Sequence, residues 1–190
     1  MKKLTTALVL FLLMNSLIMP TSAQSSTQNP KDILAKKYPN EKILSLKTMD
    51  LNNDKRNESV ILTNSGNLFF LNSKGVLVLI NTGVAYEGED SEIKVLPVSS
   101  KEKHVAIVVE TPPSTLVYVY RLEYGTLVQK LQFIADLGVE FRKNGEIIQV
   151  WKNYSPGGGW DINNSNVGIF TWNTKTNKYN ASGKYALPQK

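Results

Sequence analysis

Four oxygen-bearing side chains, Asp50, Asn52, Asp54 and Glu58, fall at positions one, three, five and nine of a short polar stretch that runs directly into the apolar residues Val60-Ile61-Leu62. Side chains that alternate along a tight loop point towards one centre, and a hard cation such as Ca²⁺ takes about six to eight oxygens around it. These residue types at this spacing suit calcium, with the backbone carbonyl of Arg56 filling out the shell. The same residues suit an Asx-rich hairpin turn, because Asn and Asp side chains hydrogen-bond their own backbone. Under either reading the stretch joins two strands.

Other residues that could do chemistry are fewer. Tyr154 and Trp160 flank Gly157-Gly158-Gly159 in a C-terminal part that holds all three tryptophans. Their rings would offer a sugar or a peptide a flat apolar face with a polar edge, so both are candidate ligand-binding residues. Trp151 and Trp172 read as alternating core residues of strands. Glu87, Glu89, Asp90 and Glu92 form the densest run of carboxylates. A pair of them could serve a glycosidase, and a solvated loop accounts for them equally well. His104 is the only histidine and opens an apolar strand with no titratable partner identifiable. With no cysteine and no serine in a Gly-x-Ser-x-Gly turn, no catalytic residue is assigned.

The stretch 50–58 resembles the Asp-x-Asx-x-Asp-Gly-x-x-Asp calcium loops of FG-GAP (integrin-type) and VCBS repeats, which join two strands of a β-propeller blade. The likeness covers about nine residues and their flanking strands. It implies a loop that braces a blade through calcium while other loops make contacts. Lys55 stands where that family has Gly, so a residue with a Cβ is expected in the left-handed region, at a cost of about 1–2 kcal/mol.

The elements that must carry these residues are mostly strands. Asn29-Pro30-Lys31-Asp32 starts one short helix, with Asn29 as N-cap, Pro30 at the first helical position and Asp32 in the first turn. Ile33, Leu34 and Tyr38 make its apolar stripe, Lys36 and Lys37 lie in its last turn, and Pro39 stops it. From residue 43 onward β-branched and aromatic runs alternate with Asn, Gly, Ser and Lys turns. They fall into three groups of four strands: 43–49, 58–63, 67–72 and 75–80; 92–98, 104–110, 115–123 and 126–134; 138–142, 146–153, 167–172 and 178–185. Groups starting about 45–50 residues apart suggest propeller-like blades, and three are fewer than the four to eight that usually close a propeller. The expected fold is therefore all-β: antiparallel four-stranded units in an incomplete propeller-like or sandwich arrangement, plus one helix. Open edges should lead either to self-association or to coverage by the helix and loops.

The N-terminus, Met1-Lys2-Lys3 before the apolar run 7–19 and Thr21-Ser22-Ala23, has the form of a cleavable secretory signal over residues 1–23. Residues 24–28 read as a disordered Ser/Thr/Gln linker, and 29–190 as a single domain. No second stretch approaches the ~20 apolar residues of a membrane helix. Removing Lys2 and Lys3 from 22 basic residues leaves 20 against 16 acidic ones, a net +4. The lysines are scattered rather than clustered, so the footprint of nucleic-acid binding is missing. Secretion without disulfides fits a bacterial exported protein. The expectation is a secreted, non-enzymatic binding or adhesion module, calcium-stabilised, that meets a cell-surface polysaccharide or protein. The alternatives are a secreted polysaccharide hydrolase using carboxylates, and a secreted inhibitor or regulator of another exported protein.

Overall fold

The computed structural model describes residues 29–86, 88–154 and 157–183. The signal and linker readings, and Glu87, lie outside the described residues.

Among the described residues one helix precedes twelve strands. Helix α1, Pro30–Lys37, is capped by Asn29, whose side chain accepts from the Lys31 N–H. Sheet 1 is the meander β1 (Ile43–Met49), β2 (Glu58–Thr63), β3 (Leu68–Leu71) and β4 (Leu77–Asn81). Sheet 2 repeats it with β5 (Asp90–Pro97), β6 (Lys103–Thr111), β7 (Ser114–Glu123) and β8 (Thr126–Ala135). Sheet 3 does so again with β9 (Gly138–Phe141), β10 (Ile147–Tyr154), β11 (Trp160–Asn173) and β12 (Lys178–Gly183). Every pairing is antiparallel. The three-by-four grouping expected from the sequence is the observed one, and the sheets stay open rather than closing on themselves.

The period-two alternation of strands explains how the sheets stack. Sheet 2 is the middle layer, buried on both faces, which is why β6 is an almost continuous apolar run. Its residues Val105, Ile107, Val109, Tyr118 and Tyr120 pack with Val60, Leu62, Leu68 and Phe70 of sheet 1. The intervening residues Ala106, Val108, Val117 and Val119 turn the other way and meet Ile147 and Phe170 of sheet 3. On the far side of sheet 1, Leu34 of α1 packs with Ile61, Phe69, Leu71 and Leu77, and Lys37 Nζ donates to the Leu77 carbonyl at 3.0 Å. The helix thus covers a sheet face, and its lysine reaches the last strand.

Two sequence boundaries shift. Strand β11 begins at Trp160 rather than near residue 167, because the β10–β11 hairpin continues past an irregularity in register at Lys152/Asn153 and pairs Tyr154 with Trp160. The glycine-rich segment is therefore the tip of a hairpin rather than a long loop. Strand β5 begins at Asp90, so Asp90 and Glu92 are exposed residues of the strand rather than of the connection before it. Among the described residues no helix is long and apolar enough to cross a membrane.

Candidate functional site

The β1–β2 loop holds its shape through its own side chains. Asp50 leads: its two carboxylate oxygens accept the N–H groups of Asp54 at 3.2 Å and Lys55 at 2.9 Å. Asn52 Oδ1 also accepts the Asp54 N–H at 3.0 Å, and Asp54 Oδ1 accepts the Arg56 N–H at 2.8 Å. Asn52 Nδ2 donates to Asp54 Oδ2 at 3.1 Å, closing the ring of polar contacts. Lys55 takes φ +66 and Asn53 φ +60. Lys55 thus adopts the left-handed conformation expected of it, where a Gly would be unstrained.

Glu58 sits apart from the other three. It is the first residue of β2 and only 2 % exposed, and one carboxylate oxygen accepts the Leu51 N–H at 3.0 Å. Burial, and after it the charges of Asp54 and Asp50, push its carboxyl above the usual range, against the opposing hydrogen bond from Leu51. Leu51 itself is buried in the core between sheets 1 and 2. Two contacts pin the loop to the second sheet: Lys103 Nζ donates to the Asp50 carbonyl at 2.7 Å, and Asn53 Nδ2 to the Lys101 carbonyl at 2.9 Å. The loop is thus a clasp across the joint between two sheets.

For a hard cation the donor set is chemically right: carboxylates of Asp50 and Asp54 and the Asn52 amide oxygen share one turn interior. Glu58 would join them from the strand. Among the described residues no three His, Cys, Asp or Glu side chains already stand as a preformed metal group. The side chains that would hold such an ion are Asp50, Asn52 and Asp54, which already bond within one turn.

Beside the loop opens a cleft of about 320 Å³, bounded by Asn52, Asp54 and Glu58, by Asn72, Ser73 and Lys74 of the β3–β4 turn, and by Tyr124 and Gly125 of the β7–β8 turn. A second cleft, of about 300 Å³, lies between sheets 2 and 3 and is lined by Asp90, Glu92, Glu110, Val139 and Phe141 among others. Asp90 lies directly opposite Glu110 in the β5–β6 register. Glu92 is drawn to Lys94 at 2.6 Å, and Glu110 accepts from Thr115 Oγ1 at 2.8 Å.

The remaining candidates are separated from the loop. Tyr154 is exposed at the end of β10. Trp160 faces it in backbone register, and the Trp160 side chain lies outside the described residues. Trp172 is half-buried, with its ring against those of His104 and Tyr179.

His104 has the partners that its sequence neighbourhood hid. It is wholly buried between sheets 2 and 3, with Nδ1 2.8 Å from Tyr179 Oη and Nε2 3.1 Å from Glu102 Oε1. A carboxylate only accepts, so Nε2 carries the proton and Nδ1 receives the Tyr179 hydroxyl. Arg121, opposite His104 in register, also reaches Glu102 and lies over the Trp172 ring. Arg121 and Lys130 both contact Glu123 at 2.8 Å. Together with Asn177 they hold that carboxyl down to about 2. The available sequence signal was Glu102-x-His104, an acid just ahead of β6 and two residues from the histidine. The network joins two sheets and stands apart from either cleft.

Taken together, fold and site define an all-β chain of three open, four-stranded sheets with a polar clasp at its first inter-sheet joint. No family model, curated protein or solved structure matches the chain.

Proposed function

We propose that the protein is a secreted, non-enzymatic binding module of the cell envelope or extracellular space, with the Asp50–Glu58 loop braced by Ca²⁺. The observation that carries this reading is the clasp: oxygen side chains gathered on one turn, tied to two sheets, at the rim of a cleft. Loops held on a rigid β scaffold are where binding residues concentrate. The partner is a cell-surface polysaccharide or protein, and a turn-face ligand leaves the stacked cores undisturbed. A hydrolase is the second reading, favoured by the cross-strand pair Asp90 and Glu110 in the lining of the second cleft. Incubation with a panel of wall polysaccharides separates them. A binding module retains polymer and releases no soluble sugar. A hydrolase releases sugar, and loses that activity in Asp90→Asn and Glu110→Gln.

Calcium bracing has its own expected result. Three carboxylates attract the ion, while Lys55, Arg56 and the Lys103 ammonium on the Asp50 carbonyl oppose it. Affinity should lie at the weak, roughly 10⁻⁴–10⁻³ M end of extracellular modules. At about ten times the dissociation constant, binding adds about 1.4 kcal/mol. Calcium at 10 mM should therefore raise the melting temperature by several degrees, and magnesium by less. Asp54→Ala should abolish the rise and Lys55→Gly should enlarge it. Unchanged melting curves for both wild type and Lys55→Gly would remove calcium from the account.

A further inference from the structure

We infer that the cleft beside the clasp is a carbohydrate site, with Tyr124 as its stacking platform and a neutral, polyhydroxylated sugar as its ligand. The inference rests on the binding-module reading and names the ligand class.

Tyr124 is the starting observation. Strands β7 and β8 are joined by a two-residue turn, Tyr124-Gly125, between the paired residues Glu123 and Thr126. Both turn residues are left-handed, at φ +52 and φ +80. Asn, Asp or Gly suits the first place of such a turn, and a bulky aromatic is strained there. The Tyr124 side chain is also fully in solvent, at 103 % relative exposure, so its ring packs against nothing in the fold. The residue thus strains the backbone and exposes apolar surface without stabilising the core. Backbone strain held by its surroundings is a reason to look for function, and a rigid aromatic ring with a polar tip is well suited to an apolar sugar face.

What lies next to it fits that use. The cleft it borders, about 320 Å³, has Phe70 and Leu122 in its lining and polar groups from two further turns. This is the small end of the range for ligand pockets. Asn72 Oδ1 is engaged by the N–H groups of Lys74 and Val76, which fixes its amide with the Nδ2 group as a donor. Ser73 and Lys74 add donors, and Asp54, whose oxygens already accept from Arg56 and Asn52, adds its remaining lone pairs. Both signs of charge line the cleft, with the carboxyls of Asp54 and Glu58 and the Lys74 ammonium. An anionic ligand would meet Asp54, and a cationic one would meet Lys74. A purely apolar peptide side chain would leave the amide and hydroxyl groups unpaired. A ring with one C–H face and several hydroxyls satisfies both the aromatic platform and the mixed donors and acceptors.

The test uses the full secreted chain on an array of neutral, acidic and amino-sugar oligosaccharides, with wild type, Tyr124→Asn, Tyr124→Phe and Tyr86→Ser compared. Asn is at home in the left-handed region, so Tyr124→Asn should melt no lower than wild type. It should nevertheless lose neutral-glycan binding at least tenfold, while Tyr124→Phe retains most of it. Tyr86, an exposed tyrosine away from the cleft, should be replaceable without effect. Wild-type binding confined to acidic polymers, binding unchanged in Tyr124→Asn, or no binding to any sugar overturns the inference. If Tyr124→Asn still sediments with envelope fragments as wild type does, this site fails and the broader binding reading survives. If wild type does not sediment either, both fail.

Discussion

Gly66→Ala is expected to lose about 2–5 kcal/mol, the largest single-site loss among the glycine positions, measured by chemical denaturation. Gly66 lies in the β2–β3 hairpin at φ +79, and an added Cβ would stand 2.0 Å from the Ala85 carbonyl oxygen. Its own carbonyl accepts the Val84 N–H at 2.9 Å, so the two segments cannot separate without breaking that bond. Val84 and Ala85 are buried in the core between sheets 1 and 2, which resists the shift from the other side. Left-handed strain alone accounts for about 1–2 kcal/mol, and overpacking adds about 1–3 kcal/mol. Gly138 separates the two contributions. It has φ +108 with open space around its missing Cβ, so Gly138→Ala should cost only the strain. Equal losses at the two positions would mean that the close approach of Ala85 is not what requires a glycine at 66.

Acidification should undo the join between sheets 2 and 3 in two stages. Burial depresses the pKa of His104 below its ordinary value, although Glu102 partly offsets this. The unfolded chain therefore takes up a proton near pH 6.5 that the folded chain refuses, and stability falls as pH drops from there towards the folded value. Each unit of depression corresponds to about 1.4 kcal/mol. Protonation also converts Nδ1 into a donor, which takes from the Tyr179 hydroxyl the acceptor it uses. The second stage belongs to the carboxylates. Burial opposes ionisation of Glu102, yet hydrogen bonds from His104 and Arg121 hold it below the usual range, and Glu123 is held to about 2. Their contribution is present above about pH 4.5 and is lost as the pH falls through their folded values. Melts between pH 3 and 8 should show both declines in wild type. His104→Gln should remove the upper one and Glu123→Gln should weaken the lower one. A His104→Gln chain with the upper decline intact would contradict the assignment.

Much of the architecture was legible because local chemistry and fold agree along the chain. Asn29-Pro30 starts the helix, and Asn72-Ser73-Lys74-Gly75 and Arg142-Lys143-Asn144-Gly145 turn the chain between apolar runs. Such turn residues carry their geometry in their own backbone preferences. Alternation along a strand reveals that it has two faces but not which sheet covers each, so the order of layers was not legible. His104 illustrates the limit: its hydroxyl partner Tyr179 is 75 residues away. Trp160 was misplaced because Gly157-Gly158-Gly159 resembles a loop, whereas pairing across β10 and β11 extends the strand to its edge. The clasp was readable from Asp50, Asn52 and Asp54, which bond within one turn. Glu58 is the first residue of β2 and already accepts the N–H of buried Leu51, a pairing that the spacing of the loop alone does not reveal. Tyr124 carries no local sequence signal, since neither its exposure nor the cleft beside it can be read from its neighbours.

Co-sedimentation of the purified chain with envelope fragments of the producing cell, in millimolar calcium and in chelator, tests the binding account most directly. Wild type should sediment with the fragments in calcium, less so in chelator, and release no soluble sugar, while Asp54→Ala sediments weakly in both. A chain that stays in the supernatant under both conditions, or that solubilises the fragments, would contradict it.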